Sequence, residues 1–173
     1  MNPLDAPEQG LLSLDDARQW RTALRAAGKK LVVTNGCFDI MHRGHAAYLR
    51  EARLAGDALL VLINSDASVK RLKGEKRPVV SEKDRAYMLC ALSSVDRVVI
   101  FDSLRCDREL AAIAADVYVK GGDYTLDKLD QTERAALEKA GTKIVFKPFI
   151  PGFSTTSLIQ RIIDFTSFHE EKK

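Results

Sequence analysis

The stretch LVVTNGCFDIMHRGH, residues 31–45, contains the features that decide the fold. It starts with a continuous apolar run, which is typical of a strand buried on both faces of a parallel sheet. It then turns through Gly36 and ends in His42-Arg43-Gly44-His45, directly before a helical pattern that begins at Ala46. A strand, a glycine turn and a helix in this order predict the first unit of an α/β domain.

The same alternation continues on both sides of this stretch. Further β-rich runs cover residues 58–63, 97–101, 117–119 and 143–146. Helical patterns cover residues 13–27, 46–55, 86–92 (after a cap at Ser81), 108–115, 132–140 and 155–165. We therefore predict one Rossmann-like, doubly wound α/β domain with a five-stranded parallel sheet over residues 29–165. An N-terminal helical segment, residues 1–28, precedes it, and a tail of residues 166–173 follows it.

Composition excludes several classes of protein. The net charge of +3, from 27 Lys and Arg against 24 Asp and Glu, is too small to indicate nucleic-acid binding. Three cysteines without a CxxC pair indicate neither a disulfide framework nor a zinc site, so we expect a reducing compartment. The N-terminus does not resemble a signal peptide, and no apolar run is long enough to cross a membrane. We expect a soluble, cytoplasmic protein without a membrane partner.

Residues 34–45 have the chemistry of an anion site at the exit of the first long strand. Gly36 allows a close backbone approach to a ligand, and Gly44 keeps the space before the helix free of a side chain. The helix N-terminus offers free N–H groups and a partial positive charge. His42 and His45 can each donate a hydrogen bond to phosphate, although a lone histidine is more often a structural one. Metal binding by this pair is the weaker interpretation, since no third histidine lies nearby, and we predict no protein metal site.

Two later segments offer more groups that suit phosphates. Ser154, Thr155 and Thr156 bring hydroxyls to the start of the last helix, where a plain cap would need only Ser154. The fourth strand exits through Lys120-Gly121-Gly122-Asp123, which is either a simple glycine turn or part of a site. Ligands of doubly wound sheets bind at the carboxyl ends of the strands, which favours a site.

The segment of residues 70–77 carries five basic residues in eight positions. Such a run is usually a solvated loop. Beside a triphosphate site, a mobile lid that brings charge to a phosphorylated substrate is the better interpretation. Spacing does not single out the contacting residue, and we expect Lys73 and Arg77 of this segment, together with Arg85 and Lys120, to contact the substrate phosphate.

The pattern Asn-Gly-Cys-Phe-Asp-x-x-His-x-Gly-His resembles the signature of the cytidylyltransferase-like nucleotidyltransferase superfamily, and residues 152–156 resemble its G-x-S-T-T motif. The resemblance implies a nucleotide site in which Asp123 lies near the ribose and Lys120 lies in the cleft. The expected catalytic residues are then His42, His45 and Lys73. The expected nucleotide-binding residues are Asn35, Gly36, Cys37, Phe38, Asp39, Gly44, Gly122, Asp123, Ser154, Thr155 and Thr156.

Within that superfamily, residues 30–163 resemble the D-glycero-β-D-manno-heptose 1-phosphate adenylyltransferases. The implied reaction transfers AMP from ATP to the heptose 1-phosphate and gives ADP-heptose and pyrophosphate for lipopolysaccharide synthesis. In many bacteria this domain follows a sugar kinase, and the present chain, which begins with a helix, is expected to be the stand-alone form. Residues 103–107 and 126–133 depart from the pattern of that branch.

The expected substrates are ATP and a sugar 1-phosphate, Mg²⁺ is expected to bridge the phosphates of ATP, and the family implies a homodimer. Two alternatives stay open: a cytidylyltransferase acting on a polyol phosphate such as glycerol 3-phosphate, and a nucleotide-binding module without turnover. A fragment of a class I aminoacyl-tRNA synthetase, which also has an HxGH-type motif, is disfavoured because the chain is short and lacks a KMSKS-like segment.

Overall fold

Six parallel strands form one sheet in the computed structural model, which describes residues 6–122, 124–148 and 152–170, with side chains as far as Phe165. The strand order is β1-β4-β3-β2-β5-β6. The strands are β1 (Leu11–Leu12), β2 (Leu31–Gly36), β3 (Ala58–Asn64), β4 (Arg97–Phe101), β5 (Val117–Gly121) and β6 (Lys143–Lys147). The predicted parallel α/β sheet is confirmed, with six strands instead of the predicted five.

The sixth strand comes from the segment that was predicted to be helical. Leu11 pairs with Val98 and Leu12 with Val99, at the edge of the sheet. A two-residue strand is too short to show the apolar run or the alternation from which strands are predicted. Residues 7–28 therefore contain a 3-10 turn (Pro7–Gly10), this short strand and a helix.

Helices connect the strands and cover both faces of the sheet. They are α1 (Leu14–Ala26), α2 (Arg43–Arg53), α3 (Asp66–Lys73), α4 (Glu82–Cys90), α5 (Asp107–Ile113), α6 (Gln131–Lys139) and α7 (Thr155–Glu170). Five of them begin at polar caps whose side chains accept a backbone N–H, namely Ser13, Ser65, Ser81, Asp130 and Ser154. Such caps satisfy N–H groups that have no partner inside the helix.

Helix α3 was not predicted. Ser65 accepts a hydrogen bond from the backbone N–H of Ser68 (3.2 Å), and Val69 is buried against the sheet. The basic residues in the last turn suit the negative end of the helix dipole. The first half of the basic segment is therefore helical and only the part after Lys73 is a loop, which corrects the prediction of one continuous loop.

The core consists of two apolar layers, one on each face of the sheet. Leu60 and Leu62 of β3 belong to one layer, which also contains Ala17 of α1. Leu59 and Val61 point to the other layer. All residues of β3 are buried, as the continuous apolar run predicts. Helix α1 is part of this core, and its buried face packs on the sheet rather than standing apart from it.

The strand order places β2 in the interior of the sheet, between β3 and β5. β3 and β4 follow β2 on one side, and β5 and β6 lie on the other side. The connection from β2 runs to β3 on one side, and the connection from β4 crosses back to β5 on the other side. The strand order therefore reverses between β2 and β5, which opens a crevice at their carboxyl ends. The residues after Gly36 enter this crevice.

Candidate active site

A cavity of about 390 Å³ lies at the carboxyl ends of β2 and β5. Its size is within the range of small-molecule sites in proteins. It brings together many of the residues that were expected from sequence: Asn35, Gly36, Cys37, Phe38, Asp39, His45, Lys73, Arg77, Lys120, Thr155 and Thr156. Tyr48, Gly121 and Tyr124 complete its lining and were not predicted.

A second cavity of about 330 Å³ adjoins the first. The two cavities share a wall that consists of Asn35, Gly36, Cys37, Lys73, Lys120 and Tyr124. Beyond this wall the second cavity is lined by Asn64, Leu72, Leu104, Arg105, Lys128, Leu129, Asp130 and Glu133. This second cavity was not predicted, because its lining comes from six separate segments of the chain.

The two histidines form a stacked pair at the start of α2. Their ring centroids are 3.8 Å apart, with an angle of 19° between the planes. His45 lines the first cavity, whereas His42 stacks on His45 and is not a lining residue. The Nδ1 atoms of both rings are buried without a hydrogen-bond partner among the described residues. Buried polar atoms are normally paired, so the two Nδ1 atoms single out this histidine pair as a candidate ligand contact.

Both rings are neutral near pH 7. Burial and, to a smaller extent, the nearby His42 together lower the pKa of His45 to about 4. Burial also lowers the pKa of His42. A neutral imidazole still has one N–H to donate, so the pair can bind an anion without carrying charge.

Close packing explains both glycines of the motif. A Cβ on Gly36 would lie 2.9 Å from Cε2 of Phe38, whose φ of 47° places it in the left-handed region. A Cβ on Gly44 would lie 3.0 Å from Nδ1 of His42 and 3.0 Å from Cβ of Phe153. Gly44 therefore permits the stacking of the histidines and the approach of the segment before α7.

Asp39 lines the first cavity, but its carboxylate is used by the protein. One oxygen accepts the backbone N–H groups of Val79 and Val80, each at 2.9 Å. The other oxygen forms an ion pair with Nε of Arg77 at 2.5 Å. Asp39, which was expected to bind nucleotide, therefore tethers the histidine loop to residues 77–80 at the edge of the cavity.

Arg85 does not lie where the sequence analysis expected it. Its side chain is fully buried on α4. The guanidinium donates to the carbonyl oxygens of Cys37 (2.5 Å), Asn64 (2.8 Å) and Val80 (3.1 Å) and to the carboxylate of Asp66 (2.9 Å). Its donors hold the ends of β2 and β3 and the start of α4, so the expected contact with a substrate phosphate gives way to a structural role.

Lys120 belongs to a polar network at the wall between the cavities. Its Nζ donates to Oδ1 of Asn35 at 2.9 Å and lies 3.7 Å from Oε2 of Glu133. Tyr118 also donates to Oδ1 of Asn35, at 2.8 Å. Glu133 is buried on α6, where it accepts the backbone N–H of Cys106 at 3.3 Å. Glu133 was not predicted, because its only local signal is its position as an acidic residue in the first turn of a helix.

The three hydroxyl residues at the start of α7 have two roles: Ser154 caps the helix, and Thr155 and Thr156 face the first cavity. Ser154 accepts the backbone N–H of Ser157 at 3.0 Å, which is the bond of a helix cap. Thr155 and Thr156 line the first cavity. Gly122 is buried, and its backbone N–H donates to the carbonyl oxygen of Lys147 at 2.9 Å. It is not one of the residues that line the first cavity. The expectation for Asp123 lies outside the described residues.

The described residues contain no group of three or more His, Cys, Asp and Glu side chains that could hold a metal ion. Within the same part of the chain, none of the helices combines the length and the apolar character that a membrane span requires.

Comparison with known proteins gives one family and a consistent set of relatives. The sequence profile of the family described as cytidylyltransferase-like matches residues 33–161. The Bifunctional protein HldE of Pelobacter propionicus (strain DSM 2379 / NBRC 103807 / OttBd1) is 45% identical over 142 residues, which is 82% of this chain and 29% of that protein. The Bifunctional protein HldE of Helicobacter pylori (strain Shi470) is 49% identical over 134 residues, 78% of this chain and 28% of that protein.

The chain thus spans less than a third of the length of these curated relatives. A solved structure, the lipopolysaccharide core biosynthesis protein from Thermoplasma volcanium GSS1, aligns with a TM-score of 0.58 and 28% identity. That alignment covers 71% of this chain and 98% of the other.

Proposed function

The chain belongs to the cytidylyltransferase-like family, and from this premise we propose that it is a nucleotidyltransferase that transfers AMP from ATP to a sugar 1-phosphate. We propose D-glycero-β-D-manno-heptose 1-phosphate as the acceptor, so that the products are ADP-heptose and pyrophosphate. Two independent likenesses support this choice. The relatives are bifunctional HldE proteins that share about half of their aligned residues with this chain, and the solved neighbour is a lipopolysaccharide core biosynthesis protein.

One observation carries the proposal: His45, on which His42 stacks, lines the same cavity as Thr155 and Thr156. The hydroxyls and the N-terminus of α7 suit the outer phosphates of a nucleoside triphosphate. The imidazoles then lie beside the α-phosphate, where the bond changes. Donors that face developing charge stabilise the transition state of such a displacement.

In the proposed reaction, an oxygen of the acceptor phosphate forms a bond to the α-phosphorus of ATP. The bond from that phosphorus to the bridging oxygen breaks, and its electron pair leaves with pyrophosphate. The attacking phosphate is already anionic at neutral pH, so the reaction needs no general base from the protein. Burial raises the pKa of the Cys37 thiol, which makes this residue a poor nucleophile and disfavours a covalent intermediate.

The charged side chains assist by position and charge. Lys73 and Lys120 lie on the wall that both cavities share, where the two phosphates must meet. Arg77 reaches the first cavity while its Nε is bound to Asp39. These three residues are the cations that we propose to contact substrate phosphates.

We propose that Mg²⁺ arrives bound to the triphosphate. The described residues provide no cluster of metal ligands, and the carboxylate of Asp39 is already bonded to the protein. Magnesium commonly keeps several waters and takes the rest of its ligands from substrate phosphates. When bound, the ion would neutralise part of the phosphate charge.

The function can be tested with a matrix of two nucleotides and two acceptors. Purified protein is incubated with ATP or CTP, each with heptose 1-phosphate or glycerol 3-phosphate, and pyrophosphate release is measured. We expect release with ATP and heptose 1-phosphate, and loss of at least about 100-fold in kcat for His42→Ala and for His45→Ala. Release only with CTP and glycerol 3-phosphate would show a polyol phosphate cytidylyltransferase, and ATP binding without any release would show a binding module.

We further propose that the protein is a homodimer. Apolar side chains of α7 support this proposal, since Ile162 and Ile163 are 52% and 49% exposed. Analytical ultracentrifugation of the wild type and of Ile162→Glu tests it: the wild type should sediment as a dimer.

A further inference from the structure

The second cavity differs in chemistry from the first. Its inner end is formed by Glu133, which is only 3% exposed, and by Asn64, which is 4% exposed. At its rim, Nε of Arg105 forms an ion pair with Oδ2 of Asp130 at 2.8 Å. Carboxylates, an amide and a guanidinium in one pocket are the groups that hydrogen-bond hydroxyls, both as donors and as acceptors.

The ion pair between Arg105 and Asp130 is held in place by the start of helix α6. The other carboxylate oxygen of Asp130 caps α6 by accepting the backbone N–H of Thr132 at 3.0 Å and that of Glu133 at 3.3 Å. Asp130 is therefore fixed by the helix, and Arg105 extends from the loop before α5 to meet it. Because half of the Arg105 side chain stays exposed, its outer N–H groups are free to meet a ligand.

The geometry of the reaction requires a second substrate site on one particular side. In phosphoryl transfer, the attacking and leaving oxygens are roughly in line with the phosphorus between them. The pyrophosphate end of ATP is assigned to Thr155 and Thr156, which line the first cavity only. The acceptor must then come from the side that lacks α7, and the second cavity lies there.

The wall between the cavities has the charge that such a meeting point needs. Lys73 and Lys120 are its two cations, and each lines both cavities. A phosphate bound against these ammonium groups would lie next to the α-phosphate in the first cavity. The rest of the acceptor molecule, beyond its phosphate, would extend toward Arg105 and Asp130.

We propose that the second cavity is the acceptor subsite and that Arg105, held by Asp130, determines which acceptor is used. The ligand class is a phosphate monoester of a polyhydroxylated body such as a sugar. Its phosphate lies at Lys73 and Lys120, and its hydroxyls pair with Arg105, Asp130 and Glu133. This inference rests on the proposed nucleotidyl transfer and adds to it the position of the second substrate.

The test compares Arg105→Ala with Arg108→Ala, an exposed arginine three residues away that lines neither cavity. Steady-state kinetics with ATP and heptose 1-phosphate give the KM of each substrate. We expect Arg105→Ala to raise the KM of the acceptor by about tenfold or more, since a hydrogen bond to a charged group is lost. The KM of ATP and the melting temperature should stay close to wild type, Arg105→Lys should recover part of the loss, and Arg108→Ala should behave as wild type.

An unchanged acceptor KM in Arg105→Ala would overturn the subsite and leave the proposed function intact. An equal rise in the KM of ATP would overturn it as well. If the wild type releases no pyrophosphate with any acceptor, the proposed function fails. Calorimetric titration with heptose 1-phosphate then decides the subsite alone: binding that is weakened by Arg105→Ala supports it, and no binding to the wild type, or binding that Arg105→Ala leaves unchanged, overturns it.

Discussion

The stacked histidines show how burial sets the charge of single residues. Each ring removes water from its neighbour, and a proton on one ring repels a proton on the other. The pair is therefore kept neutral in the free protein, and its Nδ1 atoms have no partner among the described residues. Such a pair is suited to receive a phosphate, because no described residue bonds to either Nδ1 atom.

The lowered pKa of His45 predicts a loss of stability on acidification. The unfolded chain takes up a proton near pH 6.5, whereas the folded protein takes it up only near pH 4. The folded state thus binds fewer protons across this window, so stability falls as the pH falls from about 6.5 to about 4. Urea denaturation at pH 7.0, 5.5 and 4.5 should show a smaller loss for His45→Asn than for the wild type. Equal losses would contradict this prediction.

Arg85 is predicted to matter for folding rather than for substrate binding. Arg85→Ala leaves three carbonyl groups and the carboxylate of Asp66 without their partner, which should cost roughly 3 kcal/mol or more. Lys83→Ala is the control, since Lys83 is exposed on the same helix and should change stability by less than about 0.5 kcal/mol. A raised KM with normal stability in Arg85→Ala would instead indicate a direct phosphate contact.

Residue identities near the histidine motif could be predicted from sequence, because their chemistry is local. The histidines, Thr155 and Thr156 follow strand exits or begin helices, and both signals can be read from the chain. The partners of Arg85 and Asp39 could not be predicted, because sequence does not show which charged side chain is buried. Glu133 was missed for another reason: it contacts Asn35, 98 positions away, through the packing of α6.

At the level of elements, Asp39 connects two segments that both face the first cavity. It joins the loop between β2 and α2 to residues 77–80, which follow α3. The basic residues of this region are therefore anchored at both ends, by the cap of α3 at Ser65 and by Asp39. Arg77 is held at the cavity by this anchor.

The anchor predicts coupling between Asp39 and Arg77. Asp39→Asn, Arg77→Ala and the double variant form a cycle that is measured by urea denaturation. The interaction energy should be about 0.5–3 kcal/mol, the range for residues in direct contact. Asp39→Asn combined with Arg71→Ala is the control and should be additive, since Arg71 bonds to the carbonyl of Asp102 instead. Additive effects in the first cycle would show that the ion pair contributes nothing.

Whether an element could be predicted depended on the strength of its local sequence signal. The five longer strands were predicted because each contains a β-rich run, and in β3 this run is apolar throughout the predicted strand. Helix α3 was missed because three basic residues dominate its last turn, and its buried face is short, with Ser68 and Val69 fully covered. Its existence depends on the Ser65 cap and on packing against the sheet, neither of which hydropathy alone shows.

At the scale of the whole molecule, binding of nucleotide should stabilise the fold. ATP at 100 times its Kd adds about 2.7 kcal/mol, which for a chain of this size raises Tm by roughly 5–10 °C. A non-cleavable ATP analogue and AMP are compared by thermal denaturation at equal concentrations. The analogue should give the larger shift, and the double variant Thr155→Ala, Thr156→Ala should reduce the difference. Equal shifts with AMP and the analogue would show that these threonines do not bind the outer phosphates.

The fold class was predictable because strand and helix signals alternate along the whole chain, and the position of the site follows from that class. The two-residue strand β1 was not predictable from sequence, since it exists only by pairing with β4. The second cavity could not be predicted for the same reason: its lining is assembled by the fold and not by any one segment.

The short strand β1 has a consequence for how the molecule avoids aggregation through the edge of its sheet. Without it, β4 would end the sheet and present a row of unpaired N–H and C=O groups to other chains. With it, the edge is only two residues long, and such short edges are poor templates for aggregation. A chain that starts at Ser13 should therefore fold less robustly and form oligomers through β4, which light scattering during mild heating would reveal.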